Sequence, residues 1–168
     1  MTAADDARPT YPTDRRGTPI YPRDTYSPWW RRGCASIIDN ALTLIIYVPV
    51  WIGHALHVGQ PWSTAMYSIL LVADVAFWVW NSLIRQGRSG SSLGKQWCDI
   101  QIVDTDTGQP IGAIGCLYRT LVHFVDNIAL GLGWLWPLWG RRRRTFADMI
   151  ARTIAVPAHD TTVVAAYR

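Results

Sequence analysis

The most restrictive feature of the sequence is a stretch of 45 residues, Asn40–Ile84, in which Asp74 is the only charged side chain. Over all 168 residues, 49% are hydrophobic and 17% are charged, against roughly 25% charged in soluble domains. A segment of this length with so few charged residues is unfavourable in water and is typical of membrane-embedded sequence. The sequence therefore predicts a small membrane protein and argues against a disordered chain or an ordinary soluble enzyme.

Positive charge is concentrated on both sides of the apolar sequence. The chain carries 16 Lys and Arg against 12 Asp and Glu, a net charge of +4, and residues 1–32 and 141–168 each hold six arginines. A basic excess beside membrane segments sets their orientation and attracts anionic headgroups. Nucleic-acid binding usually shows as basic residues interleaved with aromatic ones on a soluble face. The expected partner is therefore a lipid bilayer with anionic headgroups, and no nucleic acid.

Two apolar segments have the length of transmembrane helices. The first runs roughly over Cys34–Leu56 and the second over Trp62–Ile84, and about 20 residues span a hydrocarbon core of ~30 Å. The connection 54–61 has no Lys, Arg, Asp or Glu, whereas arginines flank the other ends. By the positive-inside rule, the N-terminus and residues 85–110 are cytoplasmic and 54–61 is external. We expect a multi-pass protein of the cell (inner or plasma) membrane.

Residues 111–139 form a third apolar segment, which four arginines follow directly. If this segment crossed the membrane once, those arginines would lie outside, against the positive-inside rule. We therefore favour a membrane-embedded helical hairpin that enters and returns on one side, with its bend near Gly131–Gly133. A single full span is the alternative, because the first helices of a membrane protein often dominate its orientation.

The two ends of the chain and two short polar runs complete the organisation. Residues 1–28 are Pro-rich and predict a disordered cytoplasmic tail, and 158–168 is a short C-terminal tail. Gln96–Asp104 alternates in part as strands do, and Thr153–Val156 is a second β-like run that Pro157 ends; pairing them would require both on one side of the membrane. The predicted fold is an all-α integral membrane protein with two full transmembrane helices, a third membrane-embedded helical hairpin and a small cytoplasmic β element.

An internal repeat places charges inside apolar sequence. Arg32 precedes Asp39 by seven residues, and Arg119 precedes Asp126 by the same spacing; each aspartate is followed by Asn and later by Pro-x-Trp. Seven residues span about 10.5 Å along a helix, too far for the two charges of one repeat to pair. Because buried charges in a membrane need partners, we expect pairs exchanged between the repeats, Arg32 with Asp126 and Arg119 with Asp39.

The first of these repeats resembles the opening signature of the RDD family of small membrane proteins, which is named for one arginine and two aspartates. The similarity extends over roughly residues 30–156, within a membrane domain at 29–157. The loop Gly90–Lys95 is similar to the family's Gly-x-Thr-Pro-Gly-Lys loop, with Ser92 and Leu93 in place of Thr and Pro.

The later part of the chain resembles the closing segments of the same family. Arg144–Asp148 is similar to its closing Asp segment, and Arg152 stands where the family usually has glycine in an Ala-Gly-Thr run. The second signature aspartate is therefore Asp126 or Asp148. The resemblance implies a polytopic membrane protein, for which transport of ions or small solutes is the usual suggestion, and it assigns five signature charges: Arg32, Asp39, Arg119, Asp126 and Asp148.

Asp74 lies near the middle of the second apolar segment and outside the repeat. A lone carboxylate at mid-bilayer costs about 2.5–3.5 kcal/mol on insertion scales. Three roles remain open for it: a structural role in a protonated or paired state, cation or proton exchange, and contact with a partner. The membrane charges, two arginines and three aspartates, sum to −1, which suits a cation or proton. The candidate ion- or proton-binding residues are Asp39, Asp74 and Asp126.

The run Arg141–Arg144 is interpreted as a topology stop whose side chains Arg141, Arg142, Arg143 and Arg144 contact anionic headgroups. A docking patch for a partner is the alternative. No metal, cofactor or enzymatic activity is expected, since the three cysteines lack metal-ligand spacing and the common catalytic motifs are absent from the sequence.

Two functions therefore remain open. The first is a cation or proton transporter or a subunit of one, which would need a homo-oligomer or a larger membrane complex, because two to four helices hardly enclose a pathway. The second is an assembly or scaffold protein that binds partners through its N-terminal tail and the arginine run.

Overall fold

The computed structural model describes residues 20–56, 60–128 and 130–159, and within these the chain is mostly helical. The helices, in chain order, are α1 (Trp29–Ile46), α2 (Val48–Ala55), α3 (Gln60–Trp78), α4 (Gln86–Ser89), α5 (Leu93–Trp97), α6 (Gly112–Ile128), α7 (Leu132–Leu135) and α8 (Phe146–Ile150). The strands are β1 (Ile100–Asp104) and β2 (Thr153–Pro157). Three short turns of other helical types lie at Arg23–Thr25, Val79–Arg85 and Trp136–Leu138.

The first apolar segment forms two helices rather than one. α1 ends at Ile46, and Tyr47 makes a tight turn in which its N–H donates to the carbonyl of Leu44. Pro49 accounts for this break, because a proline has no N–H to donate to the residue four positions earlier. Neither α1 nor α2 qualifies as a candidate span, so the prediction of two full transmembrane helices stays a prediction.

The second apolar segment forms a continuous helical rod that extends beyond its predicted end. α3 passes through a π-helical turn, Val79–Arg85, into α4, and Gly90 ends the rod in the left-handed conformation, with φ of 78°. Of the helices described, one, Thr64–Ser89, is long and apolar enough to cross a membrane. The π-helical turn brings Asn81, which is buried, into contact with α1.

The predicted β element is present, although β1 begins at Ile100, because Gln96 and Trp97 of the predicted strand belong to α5. β1 and β2 pair antiparallel, with Ile102 opposite Ala155. One face of this sheet packs on Ala35 of α1 through Ile100 and Ile102. Arg152 adopts a left-handed φ of 52° in the turn before β2, so this tight turn forms without glycine.

The other face of the sheet is covered by residues that the sequence assigned to the disordered tail. Tyr21 and Tyr26 pack against Val103, Ile154 and Val156, and Tyr26 is fully buried. Just after Tyr26, the N–H of the next residue donates to the carbonyl of Ala155 at 3.0 Å. Residues 20–28 therefore belong to the folded domain, because two tyrosines shield the outer face of the sheet. The rest of the predicted tail, residues 1–19, lies outside the described residues, as do residues 160–168 of the C-terminal tail.

The third apolar segment bends where its glycines indicated. α6 and the segment Leu132–Leu138 meet at an angle of 106°, and together they are apolar enough to form one broken span or a re-entrant loop. Gly131 adopts a φ of 79°, which favours glycine, and its N–H donates to the carbonyl of Asp126. Gly133 packs against the same aspartate so closely that a Cβ would overlap its carboxylate.

Candidate functional site in a polar interior

The described part of the chain has much of its polar surface inside and much of its apolar surface outside. Buried polar or charged side chains occur on several elements: Asn81, Gln86, Ser92, Arg119, Asp126, Asp148 and Thr153. Large apolar side chains such as Ile114 and Leu130 are 85% and 92% exposed. Soluble monomers rarely expose continuous apolar surfaces of this kind, so the distribution is typical of a protein surrounded by lipid.

The separation of buried polar side chains from exposed apolar ones is clearest on helix α6. Its exposed apolar side chains recur every three or four residues: Ile114, Leu117, Tyr118, Leu121, Phe124, Val125 and Ile128. Its opposite face carries the buried Cys116, Arg119 and Asp126 together with the half-buried His123. This spacing gives the helix two distinct faces, and the polar face is the one that contacts the rest of the protein.

Asp148 is the centre of the largest charge cluster. It is fully buried, and its Oδ1 accepts hydrogen bonds from Nε and Nη2 of Arg119 at 2.8 and 2.6 Å. Its Oδ2 pairs with Nη2 of Arg32. Burial by itself would raise the pKa of Asp148, but the two guanidinium groups hold it well below its usual range. Asp148 is therefore ionised and neutralises one of the two positive charges.

Local sequence places Asp148 at this point. Thr145 caps the N-terminus of α8, where its hydroxyl accepts from the backbone N–H of Asp148 at 3.0 Å. Oδ2 of Asp148 accepts in return from the N–H of Thr145, which completes a capping box. The hydroxyl of Thr153, on β2, donates to Oδ1 at 3.3 Å. One carboxylate thus joins α1, α6, α8 and β2.

The exchanged ion pairs predicted from the repeat are wrong. Both arginines, Arg32 and Arg119, pair with Asp148, which lies outside the repeat. Asp39 instead faces Nζ of Lys95 at 3.8 Å, and Asp126 contacts His123. The reason is tertiary: α8 inserts an acid between α1 and α6, so neither arginine reaches across to the other repeat's aspartate.

Asp39 is held by the Gly90–Lys95 loop, whose last three residues form the first turn of α5. Its Oδ1 accepts from the backbone N–H of Gly94 at 2.8 Å and from Nδ2 of Asn81 at 2.9 Å. Its Oδ2 accepts from the hydroxyl of Ser92 at 2.6 Å. Ser92 therefore supplies a hydroxyl at the position where the similar RDD loop has threonine. With Lys95 nearby, this loop surrounds the first signature aspartate with donors.

Asp126 lies in the last turn of α6, next to the bend that follows this helix. Its Oδ2 lies 2.7 Å from Nδ1 of His123, and its Oδ1 accepts from the N–H of Ala147 at 3.3 Å. The imidazole ring of His123 stacks on the indole of Trp134, with ring centres 4.4 Å apart. Asp126 thereby connects α6 to both α7 and α8.

Asp74 lies apart from these clusters. Its Oδ2 accepts a hydrogen bond from the hydroxyl of Tyr47 at 3.2 Å, which links α3 to the break between α1 and α2. Its Oδ1 is buried, and none of the described residues hydrogen-bonds to it. The three candidate ion ligands, Asp39, Asp74 and Asp126, thus have separate sets of partners and do not form one site.

A cavity of about 380 Å³ opens beside the Asp148 cluster. Its walls include Arg32 of α1, Lys95 of α5 and Arg119 of α6, together with polar side chains of α1 and the π-helical turn. Burial lowers the pKa of Lys95 to about 8, the positive charge of Arg119 adds to this effect, and Asp39 opposes it. A cavity of this size is at the small end of ligand-binding pockets.

The arginine run does not form one exposed surface. Arg141 is exposed, Arg142 is buried, and Arg143 and Arg144 are half-buried. Arg143 donates from Nη1 to the carbonyl of Tyr26 at 3.1 Å, and its own carbonyl accepts from Arg32. The prediction of headgroup contact therefore does not extend to Arg142, which is enclosed in the fold.

The residues that surround Asp39 were not identified as site residues from the sequence. Asn81 is one of few amide side chains near the end of the second apolar segment, which is the signal that would have identified it. Ser92, Gly94 and Lys95 lie in the loop that resembles the RDD pattern, but a loop of small residues does not reveal which acid it binds. Trp134 carries no comparable signal.

An interior of paired charges, an apolar exterior and a candidate span define a small membrane protein with a charged cavity. The chain belongs to the RDD family, whose sequence profile it matches over residues 26–152. This match confirms the resemblance seen in the signature residues, and proteins of this family are small and typically membrane-associated.

The curated relatives that match the chain come from mycobacteria. It is 35% identical to a proline-rich antigen homolog of Mycobacterium tuberculosis over 81% of this chain and 65% of the relative. It is 33% identical to the proline-rich antigen of Mycobacterium leprae over 81% of this chain and 63% of that protein. The chain thus spans less than two thirds of these relatives. No solved structure matches it.

Proposed function

We propose that this RDD protein is a cation or proton transporter of the cell membrane, or a subunit of one, and not an enzyme. The observation that carries the proposal is the carboxylate of Asp74. It lies near the middle of the helix Thr64–Ser89. Its Oδ2 accepts a hydrogen bond from the hydroxyl of Tyr47, and its Oδ1 is buried without a hydrogen-bond partner among the described residues. A carboxylate in this state is stabilised by taking up a proton or a cation.

The proposed topology is multi-pass, with a cytoplasmic N-terminus. Three parts of the chain meet at the sheet: residues 20–28, the β1 strand that follows α5, and β2. Two hydrogen-bonded strands lie in one compartment, so the chain between β1 and β2 leaves the sheet and returns on the same side. The bend of 106° after α6 supports a re-entrant hairpin for that excursion. The arginines near all three parts favour the cytoplasm.

Cysteine labelling tests this topology. In a variant without Cys34, Cys98 and Cys116, a cysteine at Gly59 is expected to react with a membrane-impermeant maleimide applied to intact cells, and one at Ala158 is expected to react only after lysis. The basis is that 54–61 lacks charge while cationic flanks lie beside the other ends. Labelling of Ala158 in intact cells would establish a third full span in place of the hairpin.

We further propose that transport requires a homo-oligomer or a larger membrane complex. The described helices include one candidate span and one bent pair, which are too few to surround a pathway. The exposed apolar faces of α3 and α6 leave surface for other copies or subunits.

The variant Asp74→Asn tests the function. Asparagine preserves the shape and the hydrogen bond with Tyr47 but cannot titrate, so the variant is expected to insert and assemble normally while pH-linked cation flux in vesicles falls about tenfold or more. Asp106→Asn is the matched control, because Asp106 lies at an exposed turn and loses the same charge.

Two outcomes would contradict this proposal at different points. Unchanged flux in Asp74→Asn would remove Asp74 from the mechanism. Absence of flux in the unmodified protein, across gradients of Na⁺, K⁺ and protons, would favour the scaffold function instead.

A further inference from the structure

We propose that the cavity beside the Asp148 cluster binds a phosphate oxyanion, for which Arg32, Lys95 and Arg119 supply the positive charge. This site goes beyond the proposed function, since it takes an anion and does not use Asp74. Asp74 is not among the described residues that line the cavity; Trp78 and Ser82, which line it, follow Asp74 by four and eight residues, or roughly 6 and 12 Å along a helix. The two sites can therefore be tested separately.

The charge of the cavity wall favours an anion. Three cationic side chains from three different helices line it, and none of the lining residues in the described chain is an aspartate or a glutamate. The acids that neutralise these cations, Asp148 and Asp39, contact them from outside the cavity lining. A ligand in the cavity therefore meets guanidinium and ammonium groups first, so a cation would be repelled.

Hydrogen-bond donors remain available on these cations. Arg119 uses Nε and Nη2 on Asp148, and none of the hydrogen bonds within the described ranges uses its Nη1. Nζ of Lys95 donates to the hydroxyl of Ser92 at 3.2 Å and lies 3.8 Å from Asp39, which leaves further N–H groups of this ammonium for a ligand. Phosphate oxygens accept charge-assisted hydrogen bonds of this kind, and arginine matches their geometry.

The position of the cavity allows two sources of phosphate. Trp29, Trp78 and Trp134 line it and are each 38% exposed, and tryptophan is enriched at the level of lipid headgroups. The phosphate is therefore carried either by the headgroup of an anionic phospholipid that enters from the membrane or by inorganic phosphate or a phosphorylated solute from the water. The chemistry recognised is the same in both cases.

Two binding measurements on the full chain distinguish these sources. In the first, the purified protein in neutral detergent is titrated with inorganic phosphate at constant ionic strength, with chloride as the reference, and tryptophan fluorescence reports occupancy. In the second, native mass spectrometry counts lipids retained from micelles that contain phosphatidylglycerol or phosphatidylcholine. We expect saturable binding of one phosphate group per chain in at least one measurement, and the measurement in which it occurs identifies the source.

Matched variants connect that binding to the cavity. Lys95→Gln is expected to weaken it about tenfold, since a hydrogen bond to a charged group is lost, and Lys95→Arg is expected to retain it. Ser36→Glu places an acid in the cavity wall without removing any charged contact and is expected to abolish binding. Arg141→Gln removes an exposed cation outside the cavity and is expected to have no effect.

The same experiments contain the results that would overturn the site. If neither phosphate nor phosphatidylglycerol binds saturably, the cavity is not an oxyanion site. If Arg141→Gln weakens binding as much as Lys95→Gln, or if Ser36→Glu binds normally, the attraction is a general effect of surface charge. Size-exclusion profiles identical to that of the unmodified protein establish that each variant is folded.

Discussion

Replacing Asp148 with asparagine is expected to destabilise the fold by about 3–5 kcal/mol, the range observed when a buried ion pair loses one partner. The buried Arg119 would lose its counter-charge, as would Arg32. The capping box of α8 would also be weakened, since the carboxylate of Asp148 takes part in the capping box as well as in the ion pairs. The measurement is the free energy of unfolding in mixed micelles, followed by tryptophan fluorescence, together with the yield of folded protein.

An exposed pair of the same residue types provides the control for Asp148. Nη1 of Arg152 lies 3.7 Å from Oδ2 of Asp106, and both side chains are about half exposed. Surface ion pairs contribute about 0–1 kcal/mol, so Asp106→Asn is expected to change stability little. Equal losses in the two asparagine variants would show that the burial of Asp148 carries no special stability.

A double-mutant cycle measures the coupling directly. Arg119→Leu with Asp148→Leu is expected to cost less than the sum of the two single changes, with a coupling of about 0.5–3 kcal/mol. Arg119→Leu with Asp39→Leu is expected to be close to additive, because Asp39 has other partners. If Arg119 were coupled to Asp39 and not to Asp148, the ion pairing predicted from the internal repeat would be correct after all.

Gly94→Ala is the second change expected to have a large effect. A Cβ at this position would overlap the carbonyl oxygen of Ala35 and lie 2.9 Å from Cγ of Asp39. Both neighbours belong to the same helix, α1, and the nearest is backbone, so α5 would have to move away. Overpacking of this kind costs about 1–3 kcal/mol, and the loop would also lose its hydrogen bonds to Asp39.

Gly33→Ala is the matched control for that substitution. Gly33 lies on α1, near Ala35, and a Cβ there meets nothing within 4 Å. Alanine in a helix interior is favoured over glycine by about 0.5–1 kcal/mol, so this variant is expected to be neutral or more stable. The two glycine variants are therefore expected to change the unfolding free energy in opposite directions, and destabilisation of the same size in both would contradict the close packing of α5 on α1.

Several elements of the fold were predictable because their signals are local. Partial alternation indicated the first strand and a short β-like run indicated the second, and β1 and β2 pair as these two runs suggested. Glycine at 131 indicated the bend after α6, because its left-handed conformation is one that other residues rarely adopt. The RDD signature was also recognisable, because it consists of charges and glycines at fixed spacing, and the family match confirms it.

The partners of the charged residues were not predictable in the same way. Helical spacing showed that Arg32 and Asp39 cannot pair within one helix, but it does not specify which acid of the remaining chain reaches each arginine. Asp148 lies more than a hundred residues after Arg32 and reaches it only because the capping box of α8 and the sheet place α8 beside α1 and α6.

The sequence also did not reveal that residues 20–28 are part of the folded domain, because their position depends on tertiary contacts. A Pro-rich segment is predicted to be disordered when its apolar side chains have no other part of the protein to pack on. Nothing in the sequence of the tail indicates that the sheet offers such a packing surface. Tyr21 and Tyr26 gain such a surface from β1 and β2.

The sequence by itself determined the membrane character of this protein, its family and its short-range elements, because these depend on hydropathy, spacing and backbone preference along the chain. Only the tertiary structure decided that Arg32 and Arg119 share Asp148, that the Gly90–Lys95 loop surrounds Asp39, and that cations line the cavity. The physical reason is that a buried charge requires a partner, while the identity of that partner depends on how distant helices pack.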